Sequence, residues 1–418
     1  MLVKIADKKF NLNSIVPYIV VFYILLLSGS VIHYGNMDVI GNINAVITVI
    51  VLFVYCLNNK MTLGKINKNI ADIFVVCGGI GLLISMLFWK NFSFLIGYVD
   101  TYCLIFLPWL ICKLIKFDKF MNAYLKIIFF LAVISLILYI FPIVLTYCPF
   151  KIVIETSDWD YDYYIFYATF KNATQEILTR NIGIFWEPGM YQGYLIFAML
   201  YIAVTQKINI KTLIFQIVMF LTIITTQSTT GYILLLPILF ILILSNIPCS
   251  WKKVRFIMTI LIIILVFTLM INPQLLYSVF EEFAPDLVNK LRLENNGGSM
   301  GTRFYGLLID AYLAIRNPLG IGILQVDSYR KNIAGLLGFL VDGSNINTTF
   351  TMMLYFGLIP GIMYLIMVIK GSFNYFRNNI IAILAIIIFL IIINTEPHYL
   401  TMFFTTIFMY LAQYNKTV

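Results

Sequence analysis

Arginine is scarce in this chain, and its placement is informative. Of seven arginines, five (Arg180, Arg292, Arg303, Arg316 and Arg330) fall in two long polar stretches, about 147–187 and 273–347. The short basic segments elsewhere rely mostly on lysine. Lysine suffices as a point-charge anchor, whereas the planar guanidinium fork suits a diphosphate or carboxylate held through two parallel hydrogen bonds. Arginines next to apolar segments therefore fit a substrate with a phosphate head and a lipid tail. The competing expectation is that each pairs with a nearby carboxylate. Arg180 and Arg303 are the leading anion-binding candidates, with Arg316 and Arg330 behind them.

A second group surrounds Arg180. The run Arg180-Asn-Ile-Gly-Ile-Phe-Trp186-Glu187-Pro188-Gly189 leads into an apolar stretch, and proline in a first helical turn makes Glu187 an N-cap candidate. A carboxylate at a helix mouth beside Trp186 could orient a sugar hydroxyl or take its proton. It could equally cap the helix or pair with Arg180. The knot Thr225-Thr226-Gln227-Ser228-Thr229-Thr230-Gly231 is polar backbone between two apolar runs. It either lines a cavity, with Gln227 among its polar groups, or forms a tight outer turn.

Other chemistry is thinly represented. Asp100 falls inside an apolar run beside Tyr98, Thr101 and Tyr102, as a proton-relay group or a hydrogen-bond partner of a tyrosine. His33 and His398 are the only histidines; they sit on separate segments and do not make a metal site, though His398 is a substrate-contact candidate. Asp158, Asp160 and Asp162 alternate with Trp159 and Tyr161 without the spacing of a known calcium loop, and read as a solvated aromatic-acidic face that suits sugars. The six cysteines form no CxxC pair and read as small buried side chains. No metal or cofactor is expected. The absence of a P-loop, a dinucleotide fingerprint or GxSxG argues against ATP-driven and serine-hydrolase chemistry.

The elements that must carry these residues are membrane helices. The 418 residues are 61% hydrophobic and only 11% charged, far from a soluble composition of about 45–50% apolar and about 25% charged. Apolar runs at roughly 14–33, 38–57, 70–88, 93–112, 124–147, 188–205, 212–226, 231–245, 256–272, 349–369, 379–394 and 400–413 suggest about twelve spans in one membrane-embedded domain, residues 1–418. The first run follows Lys4, Lys8 and Lys9 and continues past Ser30, which favours an uncleaved first helix over a signal peptide. With the N-terminus inside, eighteen lysines and arginines fall on the inner side and ten outside, nine of the ten within the two long segments. Both termini are then cytoplasmic, and chemistry belongs outside. The net charge of +9 comes from membrane-flanking anchors with no nucleic-acid motif, so nucleic acid is not a partner.

The expected fold is therefore all-α, a polytopic bundle with a large helical outer loop. Within 273–347, the pattern predicts helices over 275–293 (interrupted near Pro285), over 302–316 with Thr302 as N-cap, and over 328–340. There is no internal repeat of fixed period.

Four segments in order complete the pattern. They are Arg180…Phe185-Trp186-Glu187-Pro188-Gly189; Thr226-Gln227-Ser228-Thr229-Thr230-Gly231; Thr302-Arg303 with Arg316-Asn317-Pro318-Leu319-Gly320-Ile321-Gly322; and Ser344-Asn345-Ile346-Asn347 before an apolar run. Together they resemble the O-antigen polymerase / O-antigen ligase superfamily over about residues 175–370. The resemblance implies a helical C-type glycosyltransferase fold. It also implies metal-independent action on undecaprenyl-diphosphate-linked oligosaccharide outside the cytoplasmic membrane, beside a chain-length regulator protein. In that scheme Arg303 and Arg180 stabilise the leaving diphosphate, Glu187 orients or deprotonates the attacking hydroxyl, and Gln227 and Asn345 are polar cavity groups. Ligases usually carry a histidine before the asparagine of the last segment. Ser344 or Asn345 stands there, which tilts the expectation toward a polymerase of O-antigen or capsule repeats. A ligase, or a flippase for the same lipid-linked sugars, is the alternative; a flippase would favour internal repeats and charged mid-membrane helices.

Overall fold

The computed structural model describes residues 2–5, 8–35, 69–156, 159–171, 180–246, 299–337, 347–376 and 378–414, with scattered positions in 46–57 and residue 257. After an N-terminal hairpin of β1 (Leu2–Ile5) and β2 (Lys8–Asn11), the chain forms α1 (Leu12–Leu27) and a short α2 (Val31–Gly35). Then come α3 (Ile70–Phe88), α4 (Leu95–Leu114), α5 (Phe117–Ile140) and a four-residue α6 (Ile143–Thr146). Strands β3 (Ile152–Glu155), β4 (Asp160–Tyr164) and β5 (Tyr167–Phe170) follow, then α7 (Pro188–Thr205), α8 (Ile210–Thr226) and α9 (Thr229–Asn246). The remainder is α10 (Ser299–Arg316), α11 (Val326–Leu337), α12 (Thr348–Phe356), α13 (Leu358–Tyr375), α14 (Asn379–Thr395) and α15 (Met402–Gln413).

Asparagine sets several helix starts. Asn69, Asn209, Asn347 and Asn378 accept main-chain N–H bonds in the first turns of α3, α8, α12 and α14. Each such cap is worth about 1 kcal/mol. Thr212 completes a reciprocal capping box with Asn209.

Among the described residues, five helices are long and apolar enough to cross a membrane: α3, α4 with its preceding turn, α5, α9 and α13. Shorter apolar helices include α8, α14 and α15. Their outward faces are apolar. Ile73, Val76, Ile80, Leu83 and Leu87 are exposed on α3, and Leu213, Ile217, Leu221 and Ile224 on α8. A helix that presents an unbroken apolar stripe outward has lipid as its solvent. At the opposite extreme, α7 and α15 are buried almost all round. Their aromatic rings interlock: Tyr124 packs on Phe403 with centroids 4.6 Å apart, and Tyr194 stacks on Phe404 at 5.6 Å. The start of α3 is tied to the end of α4 by a buried ion pair, Lys113 Nζ to Asp72 Oδ1 at 2.8 Å, joined by Trp109 Nε1 at 2.7 Å.

The structure departs from the expected fold in five places. Within the stretch 147–187 the described residues include strands: β3, β4 and β5 form an antiparallel meander, with Ile152 opposite Tyr163 and Asp162 opposite Thr169. The alternation of Asp160, Tyr161, Asp162 and Tyr163 is thus a strand with tyrosines inward, and Asp162 pairs with Lys151 at 2.6 Å. The span expected over 349–369 is two helices broken at Gly357, whose φ of +93° only glycine adopts readily. The span expected over 124–147 instead begins at Phe117 and stops at Ile140. Thr302 is not an N-cap, because α10 starts one turn earlier at Ser299. Asp100 lies on the exposed face of α4 instead of being buried. The spans expected over 38–57 and 256–272, the helix over 275–293, Arg292 and Asp158 lie outside the described residues.

Candidate functional site

Several of the polar residues singled out in the sequence fall into two bonded groups, joined by a third segment of which the sequence flagged only His398. The first group is built at the N-terminal end of α7. Arg180 Nε donates to Thr226 O at 3.2 Å and Nη2 to Gln227 O at 3.1 Å. Its fork thus satisfies carbonyls left open where α8 ends and interacts favourably with that end of the helix dipole. Beside it, Asn181 N donates to Thr225 O at 3.0 Å and Asn181 Nδ2 to Thr225 Oγ1 at 2.9 Å. Segments 180–187 and 225–231 are therefore one structural unit. Gln227 is the left-handed C-cap of α8 with an exposed side chain, so its contribution here is through backbone.

Glu187 occupies the N-cap position of α7 with Pro188 in the first turn, as expected, but its side chain makes no capping bond. The simple capping role is thereby removed. Trp186 rests on Tyr34 with ring centroids 4.0 Å apart; its Nε1 is buried without a hydrogen-bond partner. The Tyr161 hydroxyl donates to Trp186 O at 2.9 Å, which ties the β-meander to this end of α7.

The second group joins α10, α11 and α12. Arg330 is the largest fully buried side chain described. Its Nε lies 2.5 Å from Asp310 Oδ1 and its Nη2 lies 2.7 Å from Asp310 Oδ2. Asn347 Nδ2 also donates to Asp310 Oδ2 at 2.5 Å, while Asn347 Oδ1 caps α12. Burial pushes the Asp310 carboxyl above the usual carboxylate range, against the opposing pull of the Arg330 charge and the hydrogen bonds of Arg330 and Asn347. The expectation that outer arginines pair with carboxylates is met by Arg330. Arg303 lies on the same stripe of α10 as Gly306 and Asp310, at the i, i+3, i+7 spacing; its side chain is outside those described. Arg316 is apart from this network: it is exposed, with its guanidinium 5.4 Å from the Tyr312 ring centre. Ser344 and Asn345 lie outside the described residues.

The connecting segment is Asn394 to His398, between α14 and α15. Asn394 Oδ1 accepts from Thr349 N at 3.1 Å, which ties it to the start of α12. Two residues on, buried Glu396 lies against Gly189 in the first turn of α7, where a Cβ would stand 1.8 Å from Glu396 Oε1. His398 packs against the next turn, near Gly193, and is fully buried between Tyr194 and Phe404. Neither of its ring nitrogens has a hydrogen-bond partner, and the same holds for both amide atoms of fully buried Gln192 on α7. Such groups cost free energy unless water or a ligand reaches them.

Burial pushes the His398 imidazole down to about 3. A histidine held below its unfolded value near 6.5 takes up its proton more readily in the unfolded chain, so stability falls as pH drops from about 6.5 toward 3. The expected loss at pH 5 is about 2 kcal/mol relative to neutral pH. Thermal unfolding of wild type and His398→Gln at pH 7 and pH 5 measures it; the variant should lose less stability on acidification.

Asp310, Gln192 and Glu396 were not picked out from the sequence as site residues, and Asn347 entered only as the end of the 344–347 segment, although two signals were available. Asp310 is the only acid in α10. Glu396-Pro397 repeats the Glu187-Pro188 pair. Among the described residues no cluster of three or more histidine, cysteine or acidic side chains could hold a metal ion. Compared with protein-family models, curated proteins and solved structures, the chain finds no match in any of the three.

Proposed function

We propose that this protein is a membrane glycosyltransferase that joins polyprenyl-diphosphate-linked oligosaccharide repeat units into O-antigen or capsular polysaccharide. It would act outside the bacterial cytoplasmic membrane, in a bundle of about twelve spans with both termini inside. The observation that carries this reading is the bonded continuity of segments far apart in sequence. Arg180 and Asn181 bind 225–227, Asp310 binds Asn347, and Asn394 to His398 bridges the start of α12 to the start of α7. Of these, the 180–181 and 225–227 stretches and Asn347 fall in or beside the segments that carry the family resemblance, whereas Asp310 and Asn394–His398 lie outside them; a substrate spanning all of them would meet arginines, carboxylates and amides together.

In this scheme a hydroxyl of the incoming unit attacks the anomeric carbon of the growing chain, and the lipid diphosphate leaves as an anion. Arg303 is the leading group for that charge, since fixed cations act strongly where charge develops away from water. Arg180 serves less directly, because it also holds the end of α8. Glu187, uncommitted as a cap, is the leading group to orient or deprotonate the hydroxyl. One observation favours a second reading: a helix broken at Gly357 is a feature of transporters.

Deleting the gene and sizing the surface glycan separates the possibilities. A single repeat unit left on its acceptor means a polymerase. Full-length polymer stranded on lipid diphosphate means a ligase, and repeat units trapped on the inner leaflet mean a flippase. In the complemented strain, Arg303→Ala at normal expression should remove the long glycan, and Glu187→Gln should shorten it at least ten-fold in yield. Wild-type ladders from both would sink the assignment of roles.

A further inference from the structure

A groove of about 430 Å³ runs between α3 and α4 on the lipid-facing side of the bundle. Val76, Ile80, Leu83, Leu95, Val99 and Tyr102 line it, and all but Tyr102 are strongly exposed. From Val76 to Met86 its α3 wall rises about 15 Å, half the hydrocarbon thickness of a bilayer. The wall is not smooth. Tyr102 folds onto Gly79, where a Cβ would stand 3.0 Å from the ring. Below it the rings of Tyr102, Phe106 and Trp109 follow one another at 5.8 and 5.7 Å, a flat aromatic rail along α4.

The outer end of the groove is polar and reaches the loop between α10 and α11. Tyr98, a lining residue, receives a bond from Asn91 Nδ2 at 3.3 Å, and Asn91 is bonded in both directions to Gln325 at 2.9 and 3.1 Å. The Tyr98 hydroxyl also lies against Gly322, where a Cβ would stand 3.1 Å from it, and Trp89 Nε1 donates to Gly320 O at 3.4 Å. Gly320 and Gly322 end the Arg316–Gly322 segment. A smaller cavity of about 150 Å³ on the other flank of α3 reaches Pro318 and Leu319 of the same loop. An apolar channel that opens to lipid and ends at a polar loop has the shape required by a molecule with a long hydrocarbon tail and a polar head.

We propose that this groove seats the isoprenoid tail of the lipid-linked substrate and delivers its diphosphate to the 316–325 loop, an inference that rests on the glycosyl-transfer reading. Bulk acyl chains also contact such a surface. The groove's specificity for isoprenoid comes from Tyr98 and Tyr102 in an otherwise aliphatic wall and from its end at the polar 316–325 loop.

The test uses full-length protein in nanodiscs with repeat units on diphosphate linked to a long polyprenyl chain or to a short isoprenoid. The double variant Leu83→Trp/Val99→Trp fills the groove from two exposed positions. It should slow polymerisation of the long-chain substrate at least ten-fold and leave the short-chain rate within two-fold. Ile96→Trp, equally bulky on the outer surface of α4 but off the groove, should leave both rates unchanged. Equal loss with both substrates, or none with either, overturns the groove. If unmodified protein polymerises neither substrate, the glycosyl-transfer reading fails, and photolabelling with a diazirine polyprenyl diphosphate tests the groove separately. Labelling of residues 76–102, absent in the double variant and absent with a diazirine phospholipid, supports it. Equal labelling by the phospholipid, or labelling elsewhere, overturns it.

Discussion

Arg330→Ala should destabilise the protein by about 3–5 kcal/mol, because it leaves the Asp310 carboxyl buried without its cation. The size of the effect follows from asymmetry. An intact buried ion pair contributes little net stability, since desolvation of both charges offsets their attraction, but removal of one partner strands the other. Asp310 then keeps the hydrogen bond from Asn347 but no cation, and its carboxyl is already pushed upward by burial. Lysine is a poor replacement, since it cannot reproduce the two-pronged contact. The double change Arg330→Met/Asp310→Leu should recover most of the loss. Unfolding midpoints in detergent, for the single and double variants, check both statements. A single variant as stable as wild type would show that the pair is not buried in the working protein. Glycan synthesis by the stable double variant separates a supporting role from a chemical one.

Gly81→Val should be the most damaging substitution on the surface of α3. A Cβ at this position would stand 1.9 Å from the main-chain oxygen of Phe356, immediately before the break at Gly357. Backbone cannot swing aside as a side-chain tip can, so α3 must separate from the α12–α13 junction. Overpacking of this kind costs about 1–3 kcal/mol and occasionally more. The displaced junction also holds the 318–321 loop, through Ile321 N to Leu354 O at 2.8 Å and Leu358 N to Pro318 O at 2.8 Å. Glycan synthesis should therefore fall further than stability. Gly335→Ala, at an exposed position of α11, is the contrast: nothing lies within 4 Å of its Cβ, and it should stabilise by about 0.5–1 kcal/mol through helix propensity. Thermal unfolding of the two variants side by side tests whether close approach, rather than loss of glycine as such, is responsible.

Much of the helical frame was legible in the residues. The limits of α3 and of α7 coincide with the apolar runs, because asparagine or a Glu-Pro pair marks their starts. Arg180, Trp186 and Glu187 were found because they crowd one short stretch before a helix. What remained hidden depended on contacts between distant segments. The break at Gly357 interrupts an apolar run without any polar residue, so hydropathy passes over it. The meander was obscured because its period-two pattern of aspartate and tyrosine also reads as a solvated acidic face. The partner of Arg330 lies 20 residues away on another helix, and nothing in periodicity selects Asp310 among the available carboxylates. Glu396 and His398 became part of the site only through the small residues of α7 on which they rest.

The C-terminal end of α1 has a consequence for the order of synthesis. At Ser28–Ser30 the chain leaves its helix, and its open groups are met by residues made much later. Tyr194 Oη donates to Ser28 O, Trp186 N donates to Gly29 O, and Phe403 N donates to Ser28 Oγ across 375 residues of sequence. At roughly 5–20 residues per second, translation supplies Phe403 about 20–75 s after Ser28. The joint at the end of α1 is thus among the last to be completed, and a nascent chain cut before α15 carries an unfinished joint that quality-control proteases can recognise.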